Sequence, residues 1–228
     1  FGVEWKTQQK AVKDEHEQRG FTGRFGPGLP RVSDGSLLFL MHLISKMRPV
    51  RSPDDKGSRL AIVLNGSPLF TGGAGSGESE IRRYLLENDL VEAIIGLPTD
   101  MFYNTGIATY VWVLDNNKPA ERRGKVQLID ARTFFTKLRR NVGSKNKELS
   151  KADRQRVLDI YRDFDAQSED NAEFSKVLTA QDFGYREISV ERPLQLRFEV
   201  EDATIAAALA TKPVDKLPDD GRSALKSA

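Results

Sequence analysis

Short runs of consecutive, largely apolar residues are the feature that most constrains the fold of this chain. They occupy Leu60–Leu64, Val91–Leu97 and Thr109–Leu114. Runs this short and this apolar are typical of strands whose two faces are both buried. Ser58 and Gly66 bound the first run, which we therefore predict to be a buried strand of a parallel sheet.

The segments between these runs indicate helices and turns. Ile81, Tyr84 and Leu85 recur at helical spacing after the first run, which predicts a helix there. The second and third runs are joined by a loop, and we expect them to pair antiparallel. A further strand is predicted at Lys125–Ile129. Strands that alternate with helices indicate an α/β sheet, and the chain supplies roughly half of one.

The first part of the chain is predicted to be a long surface loop followed by a buried helix. Residues 1–32 are polar, and glycine and proline crowd their second half. Ser33 and Asp34 then offer an N-cap to an apolar segment that extends to Met47, and Pro49 ends it. Apolar residues occupy most faces of this segment, so we expect it in the interior.

The composition changes after Arg132. A basic segment extends from Lys137 to Lys147. Ser150–Asp153 then resembles a capping box at the start of an amphipathic helix. The apolar stripe of that helix consists of Val157, Ile160, Tyr161 and Phe164.

The end of the chain is predicted to be extended over residues 185–200 and helical over Ile205–Leu209, with a frayed tail from Lys212. Together with the change after Arg132, this predicts a first domain at residues 1–132. Residues 133–228 would form a second, mainly helical region.

Composition excludes several kinds of site. No cysteine is present, which excludes disulfides, thiolate metal sites and cysteine nucleophiles. It also fits a reducing compartment, and we expect the protein in the cytoplasm. Basic and acidic residues nearly cancel, 35 against 33, so any nucleic-acid footprint must be local. The longest apolar run, near residues 37–44, is far shorter than the roughly 20 residues of a membrane span.

The residues alone do not indicate a catalytic or metal centre. Thr71–Ser79 is glycine-rich, but it lacks the Gly-Lys-Ser/Thr of a P-loop and the spacing of a dinucleotide site, which favours a flexible connection. His16 and His42 lack the neighbours of a metal site or a catalytic triad. Cap or turn positions explain the scattered carboxylates Asp34, Asp100 and Asp115.

Four segments in a fixed order carry a resemblance to a known family. They are Phe1–Trp5, Ser33–His42, Leu60–Gly73 and Ile81–Pro98, and the last continues into Met101–Ile107. They resemble the modification subunit of type I restriction-modification systems, which is an N6-adenine DNA methyltransferase, and the likeness covers most of residues 1–165. One position departs from the pattern: the family's common Leu-Pro-x-Gly is replaced here by Leu64, Asn65 and Gly66.

The resemblance implies a fold and a chemistry. The fold would be the C-terminal half of a Rossmann-like, S-adenosylmethionine-dependent methyltransferase sheet, followed by a mostly helical C-terminal region. Phe1 matches the last residue of the family's Asn-Pro-Pro-Phe motif, whose ring stacks on an adenine flipped out of the duplex. The other residues of the motif and the glycine-rich cradle for the cofactor precede Phe1 in the family.

The chain also opens without an initiator methionine or a signal pattern. We therefore expect a piece of a longer polypeptide, inactive on its own. S-adenosylmethionine would bind to the full-length subunit, with no cofactor-binding residue and no metal in this piece.

The family further implies DNA, a specificity subunit, a second modification subunit and a restriction subunit as partners, and no membrane. The apolar stripe of the helix after Ser150 would contact the specificity subunit or belong to the internal core. Lys137, Arg139 and Arg140 would touch DNA phosphates or lie in a solvated loop. In an alternative function, residues 133–228 are a non-catalytic assembly module. A nucleotide-binding protein that uses Thr71–Ser79 ranks last.

Overall fold

The computed structural model describes residues 2–52, 54–164, 169–192 and 201–227. The chain divides into two compact units, Phe1–Glu187 and Ile188–Ala228. This division differs from the functional boundary predicted after residue 132, which stays a prediction. Within the described residues, no helix has the length and apolarity that crossing a membrane requires.

A mixed sheet of five strands forms the centre of the first unit. The described strands of this unit, inside and outside that sheet, are β1 (Arg59–Asn65), β2 (Val91–Leu97), β3 (Thr109–Asp115), β4 (Lys125–Asp130), β5 (Thr136–Val142), β6 (Lys145–Glu148) and β7 (Ser175–Thr179). The order in the central sheet is β1-β3-β2-β4-β7, and β5 and β6 form a separate hairpin. Only β2 and β4 run parallel among these paired strands.

The predicted strands form where the apolar runs lie, but β1 has different neighbours from those expected. The antiparallel pairing of β2 with β3 is confirmed, with Ile94 opposite Trp112. The expectation that β1 lies within a parallel sheet is wrong, because it pairs antiparallel with β3 at the edge of the sheet. An apolar run indicates burial, but it does not encode the direction of the neighbouring strand.

The helices of the first unit are α1 (Gln9–Arg19), α2 (Ser36–Ile44), α3 (Ser67–Phe70), α4 (Gly77–Glu87), α5 (Lys151–Arg162) and α6 (Glu169–Ala172). α1 corrects the expectation of a loop over residues 1–32. Its residues are mostly good helix formers, Val12 is buried, and glycine enters only at Gly20, where the helix ends with φ of 47°. The helices predicted over α2, α4 and α5 are present, and the capping box between Ser150 and Asp153 is confirmed.

Helices cover both faces of the central sheet. Ile94 packs in one cluster with Leu40 of α2 and Leu85 of α4. Its neighbour Ile95 packs in a second cluster with Ile160 of α5. Consecutive residues of a strand point to opposite faces, so α2 and α4 lie on one face and α5 on the other.

The face that α5 covers is half open at the β1 end of the sheet. The registers place Ala61 opposite Val113, and Val63 and Ile95 opposite Val111, so that these side chains share the α5 face. Ala61 is exposed, and Val63, Val111 and Val113 are only half-buried. Both faces of β1 and β3 are thus apolar, and the described residues leave the α5 face of these strands partly open.

The basic segment after Arg132 forms the β5–β6 hairpin, where a solvated loop was one of the two interpretations. Gly143, with φ of 62°, makes the turn between the strands. Lys137, Arg139 and Asn141 of β5 are polar, and Arg140 separates the apolar Leu138 from Val142, so the sequence lacks the regular alternation that signals a strand. The region after residue 132 therefore contains strands β5, β6 and β7 besides its helices.

The second unit consists of α7 (Asp202–Leu209), α8 (Lys212–Asp215) and α9 (Asp219–Ser227). The helix predicted over Ile205–Leu209 is present. The tail from Lys212 was expected to fray but is largely helical. Ile205 and Leu217 are exposed on this unit.

Candidate nucleic-acid interface at one edge of the sheet

The carboxyl ends of β1 and β2 lie on the same side of the central sheet, where these strands end. We refer to this side as the edge that carries the candidate interface, and it differs from the edge strand β1. Asn65 ends β1 and Leu97 ends β2, and both pair with Thr109 of β3. Neighbouring strands are about 4.8 Å apart, so Asn65 and Leu97 lie about 10 Å apart on either side of Thr109. The chain segments that follow these two residues therefore share this edge.

The start of the chain lies against the carboxyl end of β1. Gly2 has φ of 69°, and a Cβ atom there would lie 2.9 Å from Nδ2 of Asn65. The backbone N–H of Gly35 donates to the carbonyl of Val3 (2.8 Å), which ties the segment down. Phe1, the predicted base platform, lies outside the described residues, but its neighbour Gly2 lies at this edge.

Asp34 is a buried carboxylate beside Gly2. The backbone N–H of Ser36 donates to Oδ1 of Asp34 (2.9 Å). Burial acts to raise the pKa of Asp34, but hydrogen bonds with Ser36 and Ser67 and the nearby charge of Arg31 outweigh it and lower the pKa. The residue is therefore held as an anion, and its bond to Ser36 is that of a local turn. The predicted side-chain N-cap is wrong, because Gly35 is the N-cap of α2 and no side chain caps it.

The loop after β2, residues 98–108, is fixed to the hairpin. The backbone N–H of Ser144 donates to the carbonyl of Tyr103 (2.8 Å), and that of Asn146 donates to the carbonyl of Asp100 (3.0 Å). Nζ of Lys147 also lies 3.5 Å from Oδ2 of Asp100. These contacts bring the hairpin to the edge that Gly2 and Asn65 occupy.

The hairpin concentrates positive charge. Residues 136–148 contain five basic residues and one acidic residue, Glu148. The predicted DNA contacts Lys137, Arg139 and Arg140 are exposed, and none of them forms an ion pair with another described residue. Lys137 lies directly opposite Lys147, a like-charge pair that is unfavourable across two strands. A bound anion would relieve this repulsion.

The apolar stripe of α5 belongs to the core of the first unit. Ile160 is fully buried, Phe164 is 7% exposed, and Val157 and Tyr161 pack against the sheet cluster. Of the two interpretations of the stripe, the structure supports the internal one.

A buried ionic network joins α5 to the sheet, and sequence analysis missed it. The hydroxyl of Tyr161 donates to Oε1 of Glu92, a residue that is 2% exposed. Nη2 of Arg59 lies 2.8 Å from the second oxygen of Glu92, with the geometry of an ion pair rather than of an aligned hydrogen bond. Nε of Arg122 lies 3.5 Å from Oε1. The sequence did contain a signal for this network, because Glu92 is a charged residue inside the apolar strand β2.

The remaining candidates from the sequence have structural roles. Nδ1 of His16 lies 2.7 Å from the carbonyl of Phe25, and Nδ1 of His42 lies 3.2 Å from Nη1 of Arg24. The described residues contain no metal-binding cluster of histidine and carboxylate side chains.

The glycine-rich segment Thr71–Ser79 presents its carbonyl groups to an arginine. Arg82 donates to the carbonyls of Thr71 (2.6 Å) and Gly72 (3.1 Å), and the side chain of Ser76 caps α4. A phosphate cradle requires converging N–H groups instead. The segment is thus built as a connection that leads from α3 into α4.

A large groove lies on the sheet face beside α4, and it reaches Gly96 near the carboxyl end of β2 and Arg132 after β4. Its volume is about 1470 Å³, and Leu86, Tyr110 and Leu128 are among the side chains that line it. Gly2, Asn65 and the hairpin do not line it. The groove therefore includes no part of the hairpin that carries the positive charge.

Comparison with known proteins gives consistent results. A family model described as N-6 DNA Methylase matches residues 1–198. The methylase subunit of the type I restriction enzyme MjaVII of Methanocaldococcus jannaschii is 34% identical over 149 residues, which are 63% of this chain and 23% of that protein. The methylase subunit of the type I restriction enzyme HindI of Haemophilus influenzae is 33% identical over 109 residues, which are 48% of this chain and 22% of that protein.

The fold is shared with a solved structure of the same group. The methyltransferase subunit of a type I restriction-modification system from Streptococcus thermophilus has a TM-score of 0.59 and 27% identity, over 80% of this chain and 33% of that one. The chain spans about a quarter of the length of the curated relatives that it matches. The resemblance found in the sequence is confirmed by these matches. The chain belongs to the N-6 DNA methylase family.

Proposed function

We propose that this chain is part of the modification subunit of a type I restriction-modification enzyme. That subunit would transfer a methyl group from S-adenosylmethionine to N6 of adenine in DNA. The family match over residues 1–198 carries the proposal, because it includes the central sheet and the basic edge. The likeness to the subunit from Streptococcus thermophilus supports it.

The sheet supports the proposal that residues 1–132 are the second half of a catalytic domain. β1 is an edge strand, and its outer edge pairs with no strand among the described residues. The apolar face around Val63 and Val111 is half open beside it. A further strand next to β1 and a helix over this face, both from the rest of the subunit, would complete the burial that the sequence of β1 calls for.

The cofactor supplies the methyl group when it is bound to the full-length subunit. The glycine-rich segment Thr71–Ser79 does not fit a cradle for it, since Arg82 engages the carbonyls of Thr71 and Gly72. We therefore assign no cofactor-binding residue to this chain and propose that it is inactive alone.

Phe1 is proposed to stack on the flipped adenine. Its neighbour Gly2 supports this role, because Gly2 lies at the carboxyl end of β1, at the same edge as the basic hairpin. Exposed Lys137, Arg139 and Arg140 would hold the DNA backbone next to that base.

The partners belong to the same proposal: DNA, a specificity subunit, a second modification subunit and a restriction subunit. Its place would be the cytoplasm, where the host DNA lies. The alternative, that residues 133–228 are a non-catalytic assembly module, is favoured by the exposed Ile205 and Leu217 of the separate second unit.

Methyl transfer by the full-length subunit, assembled with its specificity subunit, tests the proposal. Duplex DNA is incubated with S-adenosylmethionine that carries an isotope label in the methyl group, and the nucleosides are analysed by mass spectrometry. Label in N6-methyladenine is expected. Label confined to cytosine would reject adenine as the target. No transfer while the assembly forms normally would reject the methyltransferase function and leave the assembly module.

A further inference from the structure

Tyr103 combines an exposed ring with a fixed backbone. Its side chain is 64% exposed. Its carbonyl accepts the backbone N–H of Ser144 (2.8 Å), and a bridge between Phe102 and Thr105 closes the loop around it. The ring therefore stands in solvent at low conformational cost, because the backbone that carries it is already ordered.

The turn of the hairpin lies directly against this loop. A Cβ atom on Gly143 would come within 2.3 Å of the carbonyl oxygen of Tyr103, so only glycine fits the contact. Nζ of Lys145 lies 5.4 Å from the centre of the Tyr103 ring. Ring and hairpin cations thus form one continuous surface of aromatic and positive groups.

This surface is close to the proposed base site. The loop of Tyr103 begins after Leu97, about 10 Å across the sheet edge from Asn65, against which Gly2 lies. That separation corresponds to about three nucleotide steps at 3.4 Å each. A DNA strand held at the Gly2 end of the edge would pass the loop within a few nucleotides.

From this arrangement we propose that Tyr103 stacks on an unstacked base of the bound DNA, while the hairpin cations hold the adjoining phosphates. The inference rests on the proposed function, since it takes DNA as the ligand. Aromatic rings beside a basic groove bind single-stranded nucleic acid in this way, because every base offers a π-face. Tyr103 is then a DNA-positioning residue.

Binding of the full-length subunit to two labelled strands of equal length tests the inference. One strand is oligothymidine, and the other is an abasic strand with the same phosphates but no bases. Stacking is worth about 1–3 kcal/mol per base, so Tyr103→Leu should weaken binding to oligothymidine by about 5- to 150-fold. Binding to the abasic strand should not change, and Tyr103→Phe should keep the affinity of the wild type.

A matched control is Tyr185→Leu, because Tyr185 is 65% exposed and lies outside the loop and the hairpin. It should bind both strands normally, and the melting temperatures of all variants should agree. Equal losses of affinity for the two strands would show that Tyr103 contacts the sugar-phosphate backbone of the DNA, which would overturn the inference. Unchanged affinity in Tyr103→Leu, or a loss of affinity in Tyr103→Phe as well, would also overturn it. The outcome is independent of methyl transfer, so failure of the proposed activity is recognised separately.

Discussion

Tyr161 shows how one side chain serves two parts of the fold. Its ring lies under the guanidinium of Arg122, 4.3 Å from the ring centre, and its hydroxyl donates to buried Glu92. Burial, the hydrogen bond to Glu92 and the charge of Glu92 raise the pKa of Tyr161 to about 12. The neutral phenol is therefore the form that the folded state prefers.

Replacing Tyr161 by phenylalanine should remove this preference. Near neutral pH the variant should be less stable by about 1–3 kcal/mol, because Glu92 loses a buried donor. A raised pKa gives stability that is present below the unfolded value of about 10 and is lost as the pH rises towards 12. The gap in melting temperature between wild type and variant should therefore narrow from pH 9 to pH 12. A gap that stays constant would show that the hydroxyl does not titrate with folding.

Phe1 in the full-length subunit gives a second test at this scale. If its ring stacks on the flipped adenine, Phe1→Ala should slow methylation by about 5- to 150-fold with little change in melting temperature. Phe1→Tyr and Phe1→Trp should retain more activity, because they keep a π-face. A plain core phenylalanine would instead lose about 3–5 kcal/mol of stability on truncation to alanine. Methylation rates and melting temperatures measured together separate the two roles.

At the scale of elements, the β5–β6 hairpin carries the positive charge of the candidate interface. It is tied to the loop after β2 through Asp100 and Tyr103, so its cations have a fixed position relative to the sheet edge. Fixed cations next to a base site are suited to hold a strand in register, whereas specificity must come from contacts to bases.

Replacing Lys137, Arg139 and Arg140 together by alanine should weaken binding of the assembled enzyme to all DNA sequences alike. The slope of log K against log salt should become shallower by about 0.9 for each phosphate contact that is lost. The matched control replaces Arg51, Lys56 and Arg123, exposed cations in the loops at the opposite edge of the sheet. If both triple variants have the same slope of log K against log salt, the hairpin cations make no contact with DNA phosphates and face solvent.

At the scale of the whole molecule, the sequence predicted the strands that are apolar and the helices that have an apolar stripe. A run such as Val91–Leu97 indicates burial from neighbouring residues alone, and a helix cap such as Ser150 also depends only on residues close in sequence. The place of β1 at the edge and the ion pairs of Glu92 depend on residues that are distant in sequence, so no local pattern contains them. The hairpin escaped prediction because polar residues separate Leu138 from Val142, so β5 has no regular hydrophobic period.

The division of labour within the subunit gives a prediction at this scale. The isolated chain should bind S-adenosylmethionine negligibly, because the resemblance implies a glycine-rich cradle outside this chain and Arg82 engages the carbonyls of Thr71 and Gly72. Titration calorimetry with the isolated chain and with the full-length subunit measures this directly. Saturable micromolar binding to the isolated chain would place the cofactor site within these residues.

The position of β1 also bears on how this polypeptide behaves in a cell or a test tube. Its outer edge offers backbone N–H and C=O groups next to apolar Leu60 and Ile62, and charge comes only from Arg59 at one end. Such an edge is a template for pairing with another chain. Produced alone, the polypeptide should aggregate through this strand, and truncated subunits would be substrates for chaperones and proteases.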